Sequence, residues 1–159
     1  MIKLNIIELD PYNDTQLEKI RIFEEEKGID KLSKDILRIR NKSSQEEYCD
    51  SNKNEFEKII FVEKDNKITD CCYIYGEKDI KQCRITPINS DRRREMIILA
   101  TNYALNNLGM EEVFIPVDKD DNSMITYLEL REYENIGEVE GNILLLKEKK
   151  EKENSQRMV

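Results

Sequence analysis

The chain has 159 residues, 38% hydrophobic and 38% charged, with a net charge of −8 and no histidine. That length fits one domain with a core of its own. The acidic balance excludes bulk nucleic-acid binding, which needs a basic field, and the missing histidine removes serine and cysteine triads and the usual zinc spacings. No apolar run approaches the ~18–20 residues of a membrane span. The opening MIKLNIIELD is too short and too polar for a secretory signal, so a cytoplasmic protein is expected. Cys49, Cys71, Cys72 and Cys83 form no C-x-x-C pair and read as reduced, structural thiols.

In chain order, Lys3 to Leu9 alternates weakly and predicts a strand. Asn13 or Asp14 offers an N-cap, Leu17, Ile20 and Phe23 follow at helical spacing, and Gly28 closes the helix. Leu32, Ile36 and Ile39 predict a second helix, and the polar stretch from Asn41 to Glu55 a loop, with or without a helical turn. Ile59 to Val62 and Ile68 to Tyr75 form a hairpin about Asp65-Asn66. Gly76 to Asp79 reads as a turn, and Cys83, Ile85 and Pro87 as a strand stopping at the proline. A long helix starts near Asp91, carries Ile97, Ile98, Tyr103, Ala104 and Leu105, and ends at Leu108-Gly109.

Val113 to Ile115 is a short buried strand expected to stop at Pro116. Asn122 or Ser123 caps a fourth helix with Ile125, Leu128 and Leu130. Val139 and Ile143 to Leu146 form two last strands around Gly141-Asn142. The expected domain is 1–147, followed by a charged, disordered tail over 148–159. Five dispersed glycines give no Rossmann fingerprint, and no glycine-lysine P-loop occurs.

The order β-α-α-β-β-β-α-β-α-β-β resembles the GNAT superfamily of N-acetyltransferases from about Ile59 to Lys147. Three stretches carry the resemblance: Ile85-Thr86-Pro87 leading into the long helix, Leu108-Gly109-Met110-Glu111-Glu112-Val113, and the helix opened by Asn122 and followed by Tyr133-Glu134-Asn135-Ile136-Gly137-Glu138. It implies one α/β (α+β) domain with a mixed central sheet of about six to seven strands and flanking helices. It also implies acetyl-CoA as co-substrate, with no metal, and direct transfer to an amine on a small molecule or a protein.

In that family the fourth strand splays from the fifth and its backbone binds pantetheine. A glycine-rich turn and the next helix N-terminus hold the pyrophosphate. Here the turn reads Asn89-Ser90-Asp91-Arg92-Arg93-Arg94-Glu95-Met96, without glycine. Arg92, Arg93 and Arg94 either replace the lost backbone donors toward the phosphates or form a solvated cluster with Asp91 and Glu95. The expected co-substrate-binding set is Ile85, Thr86, Pro87, Arg92, Arg93, Arg94 and Asn122.

The family's glycine-phenylalanine pair aligns with Glu132-Tyr133, which puts its acidic tyrosine on Leu128. Tyr127, one residue away, is the candidate acid. A strand N–H often polarises the thioester carbonyl in this family. Tyr73 and Tyr75 would line the acceptor site, or serve as ordinary strand residues. The alternative to an enzyme is a catalytically weak or inactive scaffold that binds CoA or a protein partner, possibilities that include a homodimer.

Overall fold

The structure, a computed structural model, describes residues 5–46, 54–88 and 93–150. Cys49, residues 89–92 with Arg92 among them, and residues 151–159 of the expected tail lie outside the described residues.

The elements are β1 (Ile6–Glu8), α1 (Asp14–Lys27), α2 (Lys31–Glu46), β2 (Glu55–Lys64), β3 (Lys67–Glu77), β4 (Gln82–Ile88), α3 (Arg93–Asn106), β5 (Glu112–Asp118), α4 (Asn122–Glu129), β6 (Glu134–Val139) and β7 (Asn142–Glu148). The strands make one mixed sheet in the order β1-β2-β3-β4-β5-β7-β6. Among the described strands only the β4–β5 pair is parallel. This is the expected order of elements and the expected mixed α/β sheet.

Alternation along the strands sends Cys83, Ile85, Val113, Ile115, Val117 and Leu145 to one face. There they pack with Met96, Ile97 and Ala100 of α3 and Leu128 of α4. On the other face Ile59, Phe61, Ile68 and Cys71 pack with Ile20 and Phe23 of α1 and Leu32 and Ile36 of α2. That second layer covers β2 and β3. The same face of β4, β5 and β7 carries a groove instead.

Local chemistry explains most boundaries. Asn13 Oδ1 accepts from Gln16 N at 3.0 Å and starts α1, and Gly28 ends it at φ 69°. Asp65 and Asn66, at φ 54° and 66°, make the primed turn that suits a two-residue hairpin.

Four expectations are corrected. Asn41 to Glu46 continues α2 instead of forming a loop. Arg38 and Lys42, one helical turn apart, both reach Glu57 of β2, so the polar face is held against the sheet edge. Gly76 is not a turn residue. It lies inside β3, where a Cβ would stand 2.5 Å from the Phe56 ring and 2.9 Å from Cys83 Cβ. The cap of α4 is Asp121, whose Oδ1 accepts from Met124 N at 3.1 Å, which leaves Asn122 and Ser123 in the first turn. Finally, β4 runs through Pro87 to Ile88, and β5 through Pro116 to Asp118.

Candidate active site

The two prolines explain the main feature of the sheet. β4 and β5 pair at Gln82↔Glu112, Cys83↔Val113 and Arg84↔Phe114, and there the pairing ends. Lys81 C=O accepts from Glu112 N, so alternate residues Cys83, Ile85 and Pro87 direct their main-chain groups at β5. Lys149 N donates to Glu111 C=O and Lys119 N to Gly141 C=O. Odd-numbered β5 residues therefore face β7, and Phe114, Pro116 and Asp118 face β4.

Continuing the parallel ladder would need Pro116 N to donate to Ile85 C=O, then Pro87 N to donate to Pro116 C=O. Proline has no N–H, so both rungs are impossible and the strands part. The carbonyls of Ile85, Pro87 and Pro116 are left directed into the gap. Each proline, read from sequence as a strand end, marks instead the inner wall of this opening. The signal was present: continuing the register of the two adjacent strands puts Pro116 opposite Thr86, one residue before Pro87.

Because α3 follows β4 and α4 follows β5, both helix N-termini lie at the open end of the gap. Arg94, Asn122, Ser123, Thr126, Tyr127 and Leu130 line a recess of about 470 Å³ there. Arg94 donates from Nη2 to Ser123 Oγ and stacks 4.8 Å from the Tyr127 ring centroid. Arg131 lies on the same ring at 3.7 Å. Arg93 is exposed and makes no hydrogen bond or ion pair among the described residues. The structure thus brings Arg94, Asn122 and Tyr127 together. Leu128, where the resemblance would put a tyrosine, is fully buried in the core.

Glu132, where the resemblance would put a glycine, has φ 68°, a left-handed conformation that glycine adopts without strain. Tyr133 beside it is buried and donates to Thr101 Oγ1 at 2.8 Å, tying the start of β6 to α3.

On the opposite sheet face, Tyr73 and Tyr75 separate. Tyr73 O–H donates to Glu57 Oε1 at 2.5 Å, and its ring lies under Lys31 and Arg38 at 5.1 and 5.8 Å. Burial, reinforced by the Glu57 carboxylate, pushes its hydroxyl well above the usual range. The Glu57 side chain is 3% exposed. Burial would raise its carboxyl, but hydrogen bonds from Arg38, Lys42 and Tyr73 outweigh that and hold it at about 2. Tyr75 is the one that opens to the groove, a cavity of about 360 Å³ with Arg84, Phe114, Pro116 and Leu144 among its walls. Burial and the nearby Glu55 raise the Tyr75 hydroxyl. Cys71, Cys72 and Cys83 are free and buried. Burial raises all three thiols, Cys83 to about 12, so they are inert packing groups.

Among the described residues no cluster of three or more histidine, cysteine, aspartate or glutamate side chains is arranged to hold a metal. No described helix is long and apolar enough to cross a membrane.

No family model matches the chain, and neither does any curated protein. Solved structures do. The N-acetyltransferase PseH of Campylobacter jejuni, solved in complex with acetyl coenzyme A, matches with a TM-score of 0.61 at 14% identity, over 93% of this chain and 100% of that one. FdhC, described as a nucleotide-linked sugar GNAT, matches with 0.60 at 19% identity over 92% and 89%. The spermidine/spermine N-acetyltransferase SpeG of Vibrio cholerae, in mutant form, matches with 0.60 at 10% identity over 99% and 100%. The molecule is therefore a mixed-sheet α/β domain opened between two parallel strands. Its fold is the GNAT fold, carried on a divergent sequence.

Proposed function

We propose that this protein is an acyl-CoA-dependent N-acyltransferase that moves an acetyl group to an amine by direct transfer in a ternary complex. The observation that carries this reading is the β4–β5 gap, held open by Pro87 and Pro116. Acetyl-CoA supplies the activated acyl thioester, and the residues present fit it. The carbonyls of Ile85, Pro87 and Pro116 accept from the amide N–H groups of a pantetheine arm, with Thr86 beside them. Arg93 and Arg94, with Asn122, stand at the mouth for the diphosphate, where guanidinium groups form charge-assisted hydrogen bonds.

The open groove face is where an amine approaches the gap, with Tyr75 on its wall. Tyr127 enters as the candidate acid for the leaving thiolate from the α4 side of the mouth. If it has that role, Tyr127→Phe lowers kcat by roughly 10²-fold or more while acetyl-CoA affinity holds. An unchanged kcat removes Tyr127 from the chemistry.

The same prolines also favour a second reading, a scaffold that binds CoA with little or no catalysis. A thioester carbonyl needs a donor to stabilise its developing charge. Past the last rung, Pro87 and Pro116 supply none, and by register Asp118 N–H is the remaining described β5 donor directed at the gap. Calorimetry with acetyl-CoA and CoA, followed by thiol release across a panel of amines, separates the two readings. Saturable binding, weakened about tenfold or more by Arg93→Ala with Arg94→Ala, supports the site. Thiol release that depends on an amine supports the enzyme. Binding with no thiol release from any amine leaves the scaffold, and no binding at millimolar ligand contradicts both.

A further inference from the structure

We infer that the groove beside the gap recognises an acceptor bearing an oxyanion, a carboxylate or phosphate, which Arg84 holds. This rests on the acyltransferase reading for its acceptor role, but the site itself is built from other residues.

Strand register sets Glu57, Tyr75, Arg84, Phe114 and Leu146 in one row across four neighbouring pairs of strands, on one face of the sheet. Arg84 is the cation at the centre of that row, on a strand face that α1 and α2 do not cover. Its side chain is exposed and makes no hydrogen bond, ion pair or ring contact among the described residues. In a chain with 34 acidic and 26 basic residues, a central arginine without a carboxylate is unexpected.

The neighbouring carboxylates explain it. In the same row, Glu57 is committed to Arg38, Lys42 and Tyr73. In the next row, Glu112 accepts from Gln82 Nε2 at 2.5 Å. Glu77 and Glu140 stand on the rim of the groove, and neither lies within ion-pair distance of Arg84. The acids around Arg84 are thus engaged elsewhere or held off, and its fork of donors stays open to a ligand.

The surroundings define the rest of the ligand. Tyr75 and Phe114 flank Arg84 on the two adjacent strands, and Pro116 and Leu144 extend an apolar wall toward the gap. A volume of about 360 Å³ suits a small molecule. A planar guanidinium on a strand flanked by aromatic residues of both neighbouring strands fits a carboxylate or phosphate oxygen pair better than it fits a cation. Arg84 lies two residues before Thr86, so roughly 7 Å of strand separates it from the residue beside the opening. The acceptor is therefore an amine with its anion several bonds away across an apolar or aromatic body, and polycationic amines are disfavoured.

The test measures binding by nuclear magnetic resonance, following the Arg84 side-chain N–H and the Tyr75 and Phe114 rings. The probes are aminobutyrate and aminohexanoate, aminoethyl phosphate, the neutral amides of the two acids, and spermidine. Acetyl-CoA affinity is measured in parallel on the same protein and on Arg84→Gln. The expected result is anionic probes binding about tenfold or more tighter than the amides, with Arg84→Gln removing that preference. The carboxylate and phosphate arms then tell which oxyanion is preferred. Amides binding as well as acids, spermidine binding best, a preference that survives Arg84→Gln, or no anion-selective binding at all overturns the inference. Acetyl-CoA affinity unchanged by Arg84→Gln shows that the variant is folded and the sites are separate. If acetyl-CoA fails to bind the wild type while the anion preference stands, the acyltransferase reading falls and the Arg84 site survives.

Discussion

Replacing Pro87 and Pro116 together by alanine returns two N–H groups to the strands that flank the gap. By the register of the β4–β5 pair, the Pro116→Ala amide meets Ile85 C=O, and the Pro87→Ala amide then meets the carbonyl at 116. Each regained hydrogen bond is worth about 0.5–1.5 kcal/mol net, or about 2 kcal/mol for the pair. Each lost proline costs about 0.4–1 kcal/mol through the freer unfolded chain. The two effects nearly offset, so thermal stability should change by less than about 1 kcal/mol. Ligand entry, however, now has to break both new bonds. At about 1.4 kcal/mol per tenfold, acetyl-CoA affinity should fall roughly thirtyfold. Hydrogen exchange reads the new amides directly, and calorimetry reads the affinity. Rapid, unprotected exchange at both new amides would refute the idea that the prolines hold the strands apart. Strong protection with undiminished affinity would refute the idea that the gap is the binding site.

Glu57 makes the fold acid-sensitive. Its carboxyl is held at about 2 against an ordinary 4.5. A depressed carboxyl stabilises the fold above its unfolded value and loses that contribution as pH falls from about 4.5 toward 2. A shift of that size corresponds to the order of 3 kcal/mol. Denaturant titrations should find Glu57→Gln destabilised by that order at neutral pH, with the gap from wild type closing toward pH 2. A gap independent of pH would contradict the assignment. Glu132→Gly should raise stability by about 0.5–1 kcal/mol in a thermal melt, because glycine removes the cost of a left-handed residue at φ 68°; a loss of stability would mean the glutamate side chain has a role of its own.

Much of the fold was legible because it rests on local signals. The Asn13 cap, Gly28, the Asp65-Asn66 turn and strand alternation each act over a few residues, and the order of elements follows from them. What escaped depends on partners distant in sequence. α2 is tied to Glu57 on β2 through Arg38 and, past Ile39, through Lys42. Gly76 is required by Phe56 and Cys83 on neighbouring strands. The separation of Tyr73 from Tyr75 depends on how far α2 extends over β3. Arg84 carried no motif, and its importance appears only once the structure shows Glu57 and Glu112 engaged by other groups and Glu77 and Glu140 beyond ion-pair distance.

The prolines are the instructive case. Local reasoning takes a proline as a strand end, since it removes a ladder donor. That physics is right, but the consequence depends on which neighbour the missing donor would have faced. At Pro87 and Pro116 that neighbour is the adjacent parallel strand. Each strand continues, and the sheet opens between them.

The most direct test of the account is an isotope-edited titration of the intact protein with CoA, read at the amides of Ile85, Thr86, Ile88, Val117 and Asp118. The account predicts saturable shifts concentrated at these residues and at Arg93 and Arg94, with the paired stretch from Cys83 to Arg84 little affected. Saturation with the gap residues unmoved, or no saturation at millimolar CoA, would contradict it.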